Sequence, residues 1–241
     1  MNALEAAAAR SRWARRNVGE KILLFGGLLL LAVAGPPWPV APAVLLCAVV
    51  AARLARVPAR LYLVLLAAPA AFVVLGIGPL LFSVGADGLA FSPTGPRRAA
   101  EVVARSIAGM GCTVAFALTT PLAELLNWLG RHGVPAAVSQ VAELTYRMIG
   151  VLAGSARSMH EAQAQRLGHR TRRGLLTGVA AQSANLFVLA IGRARRLQEG
   201  LALRAEPGAT AVVAAARPRD ARFLAAAAAT LAAVAALWAV V

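Results

Sequence analysis

The chain has 241 residues, 59% of them hydrophobic and only 15% charged, with a mean hydropathy of +0.68. Soluble domains run at about 45–50% apolar and about 25% charged, so one water-bounded core cannot hold this much apolar side chain. Intrinsic disorder and a secreted disulfide scaffold are excluded too. Lys+Arg number 25 against 10 Asp+Glu, a net +15, and 24 of the 25 are arginine because Lys21 is the only lysine. In so apolar a chain this reads as basic residues kept on the cytoplasmic side of a lipid bilayer, not as a nucleic-acid surface.

Residues 1–21 carry Arg10, Arg12, Arg15, Arg16 and Lys21 against Glu5 and Glu20. The first apolar run, 22–34, ends at Gly35-Pro36-Pro37 with no small-x-small cleavage site, and so reads as a first span and not a signal peptide. A second run follows at 40–52, and Arg53, Arg56 and Arg60 come directly after it. Each run is shorter than the ~20 residues that cross about 30 Å of hydrocarbon. Two short tilted spans are favoured over a re-entrant pair, because the flanking basic clusters then share one side. The uncharged stretch 61–82 predicts a third span, and 83–96 (SVGADGLAFSPTGP) a polar outside loop with Asp87 as its only charge. A fourth span is predicted at 99–118. Arg97, Arg98 and Arg105 do not suit the outer side of it. Thr119-Thr120-Pro121 ends that span, since proline opens a helix more readily than it continues one.

Between 121 and 173 apolar residues recur at helical spacing, as in Leu122, Leu125, Leu126 and Leu129, among many charged positions, which predicts amphipathic helices. The run 175–192 is apolar, but net +4 clusters lie on both sides of it, at 157–173 and 193–222. Crossing would carry one cluster through hydrocarbon at about 2.5–3.5 kcal/mol per charge. The expectation is a helix on the inner side that does not span. Residues 223–241 form a charge-free Ala-rich last span. The predicted fold class is all-α: a polytopic membrane helix bundle of about five transmembrane helices. It comprises an N-terminal bundle (1–120), a cytoplasmic block of amphipathic helices (121–222) and a C-terminal span (223–241), with the N-terminus cytoplasmic and the C-terminus outside.

Catalytic chemistry is thinly represented. A metal-dependent phosphotransferase needs clustered carboxylates, and only Glu124 stands near a membrane end. His132, His160 and His169 lack zinc-site spacing and have no cysteine nearby, while Cys47 and Cys112 sit in apolar runs as small buried hydrophobes. There is no phosphate-binding glycine loop with a lysine. Two elements do look alike: Glu161 to Gly168 (EAQAQRLG) and Glu199 to Ala205 (EGLALRA). Each places an arginine at a helix end with small residues one turn behind, where a groove on another protein can approach and the guanidinium can clamp a carboxylate or cap carbonyls. Ordinary cytoplasmic arginines near helix C-termini would look the same.

From about residue 100 to 208 the chain resembles the transmembrane (T) component of energy-coupling-factor (ECF) importers, closest to the cobalt type, CbiQ. The resemblance rests on Thr119-Thr120-Pro121 with Leu125 and Leu126, Val134-Pro135, Leu144-Thr145-Tyr146-Arg147, the stretch 159–168 (MHEAQAQRLG) and the stretch 193–204 (RARRLQEGLALR), in that order. It implies two coupling helices ending in Ala-Arg-Gly-like signatures that dock into a pair of cytoplasmic ABC-type ATPase subunits. Carried over, the signatures fall on Ala164, Gln165, Arg166, Leu167 and Gly168, and on Ala202, Leu203, Arg204 and Ala205. The first reads Gln-Arg-Leu-Gly, which suits the cobalt type, and the second reads Leu-Arg-Ala. The resemblance further implies a non-catalytic subunit without cofactor or metal ligands of its own. ATP and Mg would be bound by the partner ATPases, and the cargo by a CbiM-like substrate-binding membrane S component. Small residues at Gly154, Ala156, Gly178, Ala181 and Ala190 would allow helices to slide. The competing expectations are a polytopic enzyme acting on a phosphorylated lipid or isoprenoid, and a membrane scaffold without energy coupling.

Overall fold

The computed structural model describes residues 3–85, 88–91, 94–165, 171–204 and 217–240. The elements in chain order are α1 (Ala3–Arg10), α2 (Val18–Ala34), α3 (Pro37–Leu54), α4 (Ala59–Leu75), α5 (Gly78–Leu81), β1 (Phe82–Gly85), β2 (Gly88–Phe91), α6 (Gly95–Thr119), α7 (Leu122–Arg131), α8 (Ala136–Gln165), α9 (Arg172–Arg204) and α10 (Ala221–Val240). The chain is an all-α membrane bundle with one short hairpin. It divides into two compact units, 1–128 with 215–241, and 129–214. The second unit falls inside the stretch 121–222 read from the sequence as a separate block.

In the first unit α2 and α3 are 17 and 18 residues long, about 26 Å each at 1.5 Å per residue. Both run past the apolar segments read from the sequence. Asn17 opens α2 by accepting the Gly19 N–H on Oδ1 at 2.9 Å. Trp38 is extended (φ −117°, ψ 128°), so the regular part of α3 begins after it. At the other end of α3, the Ala55 carbonyl accepts from both the Arg12 N–H and the Ser11 hydroxyl at 3.1 Å. Leu28 of α2, Val40, Val44 and Ala48 of α3, and Ala108, Cys112, Ala115 and Leu118 of α6 are all fully buried in one core. Small residues along α3 and α6 bring the backbones close, as interfaces between membrane helices require. Tyr62 of α4 joins this core and donates its hydroxyl to the Gly111 carbonyl at 3.0 Å.

The stretch 61–82 is not a single helix. α4 stops at Leu75, and α5 begins only at Gly78. Gly76 and Gly78 weaken helix propagation, and Pro79 both lacks an N–H and disfavours helix at the residue before it. The expected polar loop at 83–96 also differs. Phe82–Gly85 pairs antiparallel with Gly88–Phe91, in the register Phe82 to Phe91 and Val84 to Leu89, which follows the alternation of large apolar residues. Residues 86, 87, 92 and 93 lie outside the described residues.

α6 extends to 25 residues. Arg105, awkward as an outer-side charge, has a structural employment: its Nη2 donates to the Gly35 carbonyl at the C-terminal cap of α2, at 2.8 Å. A cation at that end complements the helix dipole as well as an orphan carbonyl. Arg105→Met should therefore lower stability by about 1–2 kcal/mol, read as a lower melting temperature of the detergent-solubilised protein. An unchanged melting temperature would refute the cap.

In the second unit α8 and α9 pack antiparallel. Gln163 Nε2 donates to the Gly178 carbonyl at 3.2 Å and Gln182 Nε2 to the Ala156 carbonyl at 2.7 Å. Thr171 caps α9, its Oγ1 accepting the Gly174 N–H at 3.0 Å. The run 175–192 is the middle of one uninterrupted 33-residue helix. Among the described residues, four helices contain stretches long and apolar enough to cross a bilayer: 37–54, 95–119, 173–203 and 221–239. α4 is a shorter apolar helix.

Candidate functional site

Along the chain the two arginine elements flank α9, Arg172–Arg204. The first follows α8, which ends at Gln165, and its Arg166, Leu167 and Gly168 lie outside the described residues. Ala164 and Gln165, the last residues of α8, are exposed. The second element closes α9: Ala202 and Leu203 are exposed, Leu203 at 86%, Arg204 is the final helical residue, and Ala205 is outside the described residues. A 33-residue helix is about 50 Å long. Among the described residues Leu203, beside Arg204, is left almost wholly bare.

Of the small residues expected at sliding contacts, Ala156 and Gly178 stand at the α8–α9 interface. A Cβ on Gly178 would lie 3.0 Å from Gln163 Oε1, so glycine there lets the amide reach the carbonyl. Gly154 and Ala181 are exposed, and nothing approaches within 4 Å of a Cβ at Gly154. Ala190 is half-buried.

Sequence reading did not find a polar knot in the first unit. Lys21 is fully buried and donates Nζ to the Thr119 carbonyl at 2.9 Å, at the last turn of α6. Its neighbour Glu20 is 2% exposed and accepts the Asp220 N–H on Oε1 at 2.6 Å. Arg16 bonds Asp220 at 3.0 Å and stacks over the Phe223 ring at 4.6 Å. Arg217 donates to Glu124 at 3.0 Å, and Asn17 Nδ2 donates to the Arg217 carbonyl at 3.0 Å. Glu20 and Asp220 thus join Glu124, the acid that the sequence placed near a membrane end, and the three acids converge on three bases. Among the described residues, no group of three or more His, Cys, Asp or Glu side chains is placed to hold a metal ion. One signal was available: the single lysine of the chain, beside an acid, at the very start of an apolar helix.

The family model for CbiQ, cobalt transport protein, matches residues 10–206, which takes in both arginine elements. The chain belongs to the CbiQ family. A CbiQ cobalt transport protein of Rhodobacter capsulatus is 42% identical over 202 residues, 83% of each chain. That of Salmonella typhimurium is 24% identical over 221 residues, 86% of this chain and 98% of its own. A fused cobalt transport protein CbiMQ of Methanocorpusculum labreanum is 32% identical over 147 residues, 56% of this chain and 24% of the fusion. This CbiQ chain is therefore the T-component type of membrane protein, multi-pass, and a component of a transport system, not a catalytic enzyme.

Proposed function

We propose that the chain is the transmembrane coupling subunit of an ATP-driven ECF-type importer that takes up cobalt ion. Its two arginine-bearing elements receive the motion of a cytoplasmic ATPase pair, and the chain passes that motion to a substrate-binding membrane subunit. One observation carries the reading: the two similar elements are separated in the chain by one continuous helix about 50 Å long, α9, which ends at Arg204. Two grooves on two motor subunits need two grips held apart at a fixed distance, and a long helix supplies a stiff spacer. The fused CbiMQ relative supports a CbiM-like partner, since joining two chains is tolerated where both ends already meet in one assembly.

In this reading ATP and Mg reside on the partner ATPases, and metal selection belongs to the CbiM-like subunit. α2, α3, α4, α6 and α10 cross the membrane, with the N-terminus cytoplasmic and the C-terminus outside. α9 does not cross, although its 173–203 stretch is long and apolar enough. It is bounded by Arg172 and Arg173 at one end and by Arg193, Arg195, Arg196 and Arg204 at the other, and neither set passes hydrocarbon cheaply. Its exposed Leu176, Phe187 and Val188 face apolar surroundings at the inner side.

Purification in mild detergent with the neighbouring gene products tests this. The chain should bring down an ATPase pair and a small membrane subunit, and the assembly in liposomes should accumulate radiolabelled cobalt only with ATP. Isolation without any ATPase, or uptake indifferent to ATP, would overturn the reading.

A further inference from the structure

The polar knot has a position that its composition alone does not explain. The chain passes from the first unit into the second through α7 and returns through residues 217–220, and the knot ties both passages to one turn of α2. Arg16, Asn17, Glu20, Lys21, Thr119, Glu124, Arg217 and Asp220 all belong to the first unit. Glu124 stands on the outgoing passage and Arg217 on the returning one, 93 residues later, and their side chains meet at 3.0 Å. Asn17 holds the Arg217 carbonyl, Glu20 and Arg16 hold Asp220 from its two sides, and Lys21 holds the end of α6 just before α7 begins.

Charged groups are costly to bury, and apolar residues would fasten two chain segments to a bundle more cheaply. What charges add is direction. A hydrogen-bonded ion pair fixes angle and register between backbones that an apolar contact lets slip. The knot is also incompletely satisfied: among the described residues, the buried Glu20 Oε2 and Arg217 Nε have no hydrogen-bond partner.

We propose that this clasp is the transmission joint of the protein, with Glu124 and Arg217 as positioning residues. It fixes α7 and residues 217–220 to each other and to the start of α2, so that a force arriving along either segment moves the bundle of the first unit. The proposal rests on the coupling reading above. The test is a double-mutant comparison in the assembled complex in liposomes, using Glu124→Gln, Arg217→Gln and the pair together. ATP hydrolysis and the amount of assembled complex should stay near those of the unaltered protein, while cobalt taken up per ATP falls about tenfold in each single variant. The double variant should be no worse than the poorer single, because one shared contact is lost only once.

Unchanged uptake per ATP, losses that multiply in the double variant, or hydrolysis and uptake falling in parallel with assembly would each overturn the clasp. If the neutral variants fail to assemble, Arg217→Lys keeps the charge without the planar fork. Lowered uptake with normal hydrolysis then supports the joint, and normal values of both refute it. An unaltered complex that takes up no cobalt with ATP would sink the coupling reading itself and the joint with it. A working unaltered complex matched by both single variants would sink the joint alone.

Discussion

With Arg166→Glu and Arg204→Glu introduced together, ATP-driven cobalt uptake should be abolished while the protein still inserts in the membrane. Both residues lie within the region matched by the family model, on the water-facing side of the proposed topology, so neither reversal asks the membrane to accept a new charge. Each guanidinium is proposed to sit in a groove of one ATPase subunit, where losing one partner of a desolvated, hydrogen-bonded charge pair costs about 2–5 kcal/mol. Reversal adds repulsion to that loss. Even at the low end, two sites together give about 4 kcal/mol, close to a thousandfold in the population of engaged complex. One reversal alone should leave a weakened, half-gripped assembly, because the other end of α9 is still held. The measurements are uptake in liposomes and retention of the ATPase pair on a column. Uptake at the normal rate in the double variant would refute the grip.

Lys21→Met should be the most damaging single change in the first unit. Methionine matches the lysine stem in length, so the fully buried site stays filled and only the ammonium is lost. The Thr119 carbonyl then loses its cationic donor at the end of α6, and Glu20 and Glu124 lose the positive charge whose field they share. A buried acceptor without a donor costs about 1–3 kcal/mol, and unbalanced buried carboxylates add to it. A loss of roughly 3 kcal/mol follows, a large part of a marginal total. It would be read as a fall in the temperature at which the solubilised protein stops eluting as a single species. Lys21→Arg should not rescue it, because a planar five-donor fork does not fit a closed site shaped for a single ammonium. Full stability of the methionine variant would show that the knot contributes nothing to the fold.

Much of the fold was legible because its causes are local. The breaks before α3 and α7 are written in Gly35-Pro36-Pro37 and in Thr119-Thr120-Pro121, where proline acts on its own turn. The gap between α4 and α5 is written in Gly76, Gly78 and Pro79, but an uninterrupted run of apolar letters obscured it, since hydropathy does not weigh helix propensity. The resemblance that located the arginine elements was legible for the same reason, being a matter of order and spacing along the chain. The full length of the helix between them was not. The apolar run reads as a helix over 175–192, and the structure continues it over 172–204. Within it Gln182 makes a hydrogen-bonding contact to α8.

The sequence by itself determined that this is a lipid-embedded helical protein, that its positive charge is clustered between apolar runs, and that it belongs with the CbiQ chains. Composition, proline placement and motif order each act over a turn or two, and no partner is needed to read them. Tertiary structure alone decided that Arg105 would close the end of α2, that Glu20, Glu124 and Asp220 would meet Arg16, Lys21 and Arg217, and that the two passages of the inserted unit would be tied to one turn of α2. Those partners lie 70 to 204 residues apart in the chain. At that separation the pairing of a charge is set by which helices pack together, and no local pattern of residues encodes it.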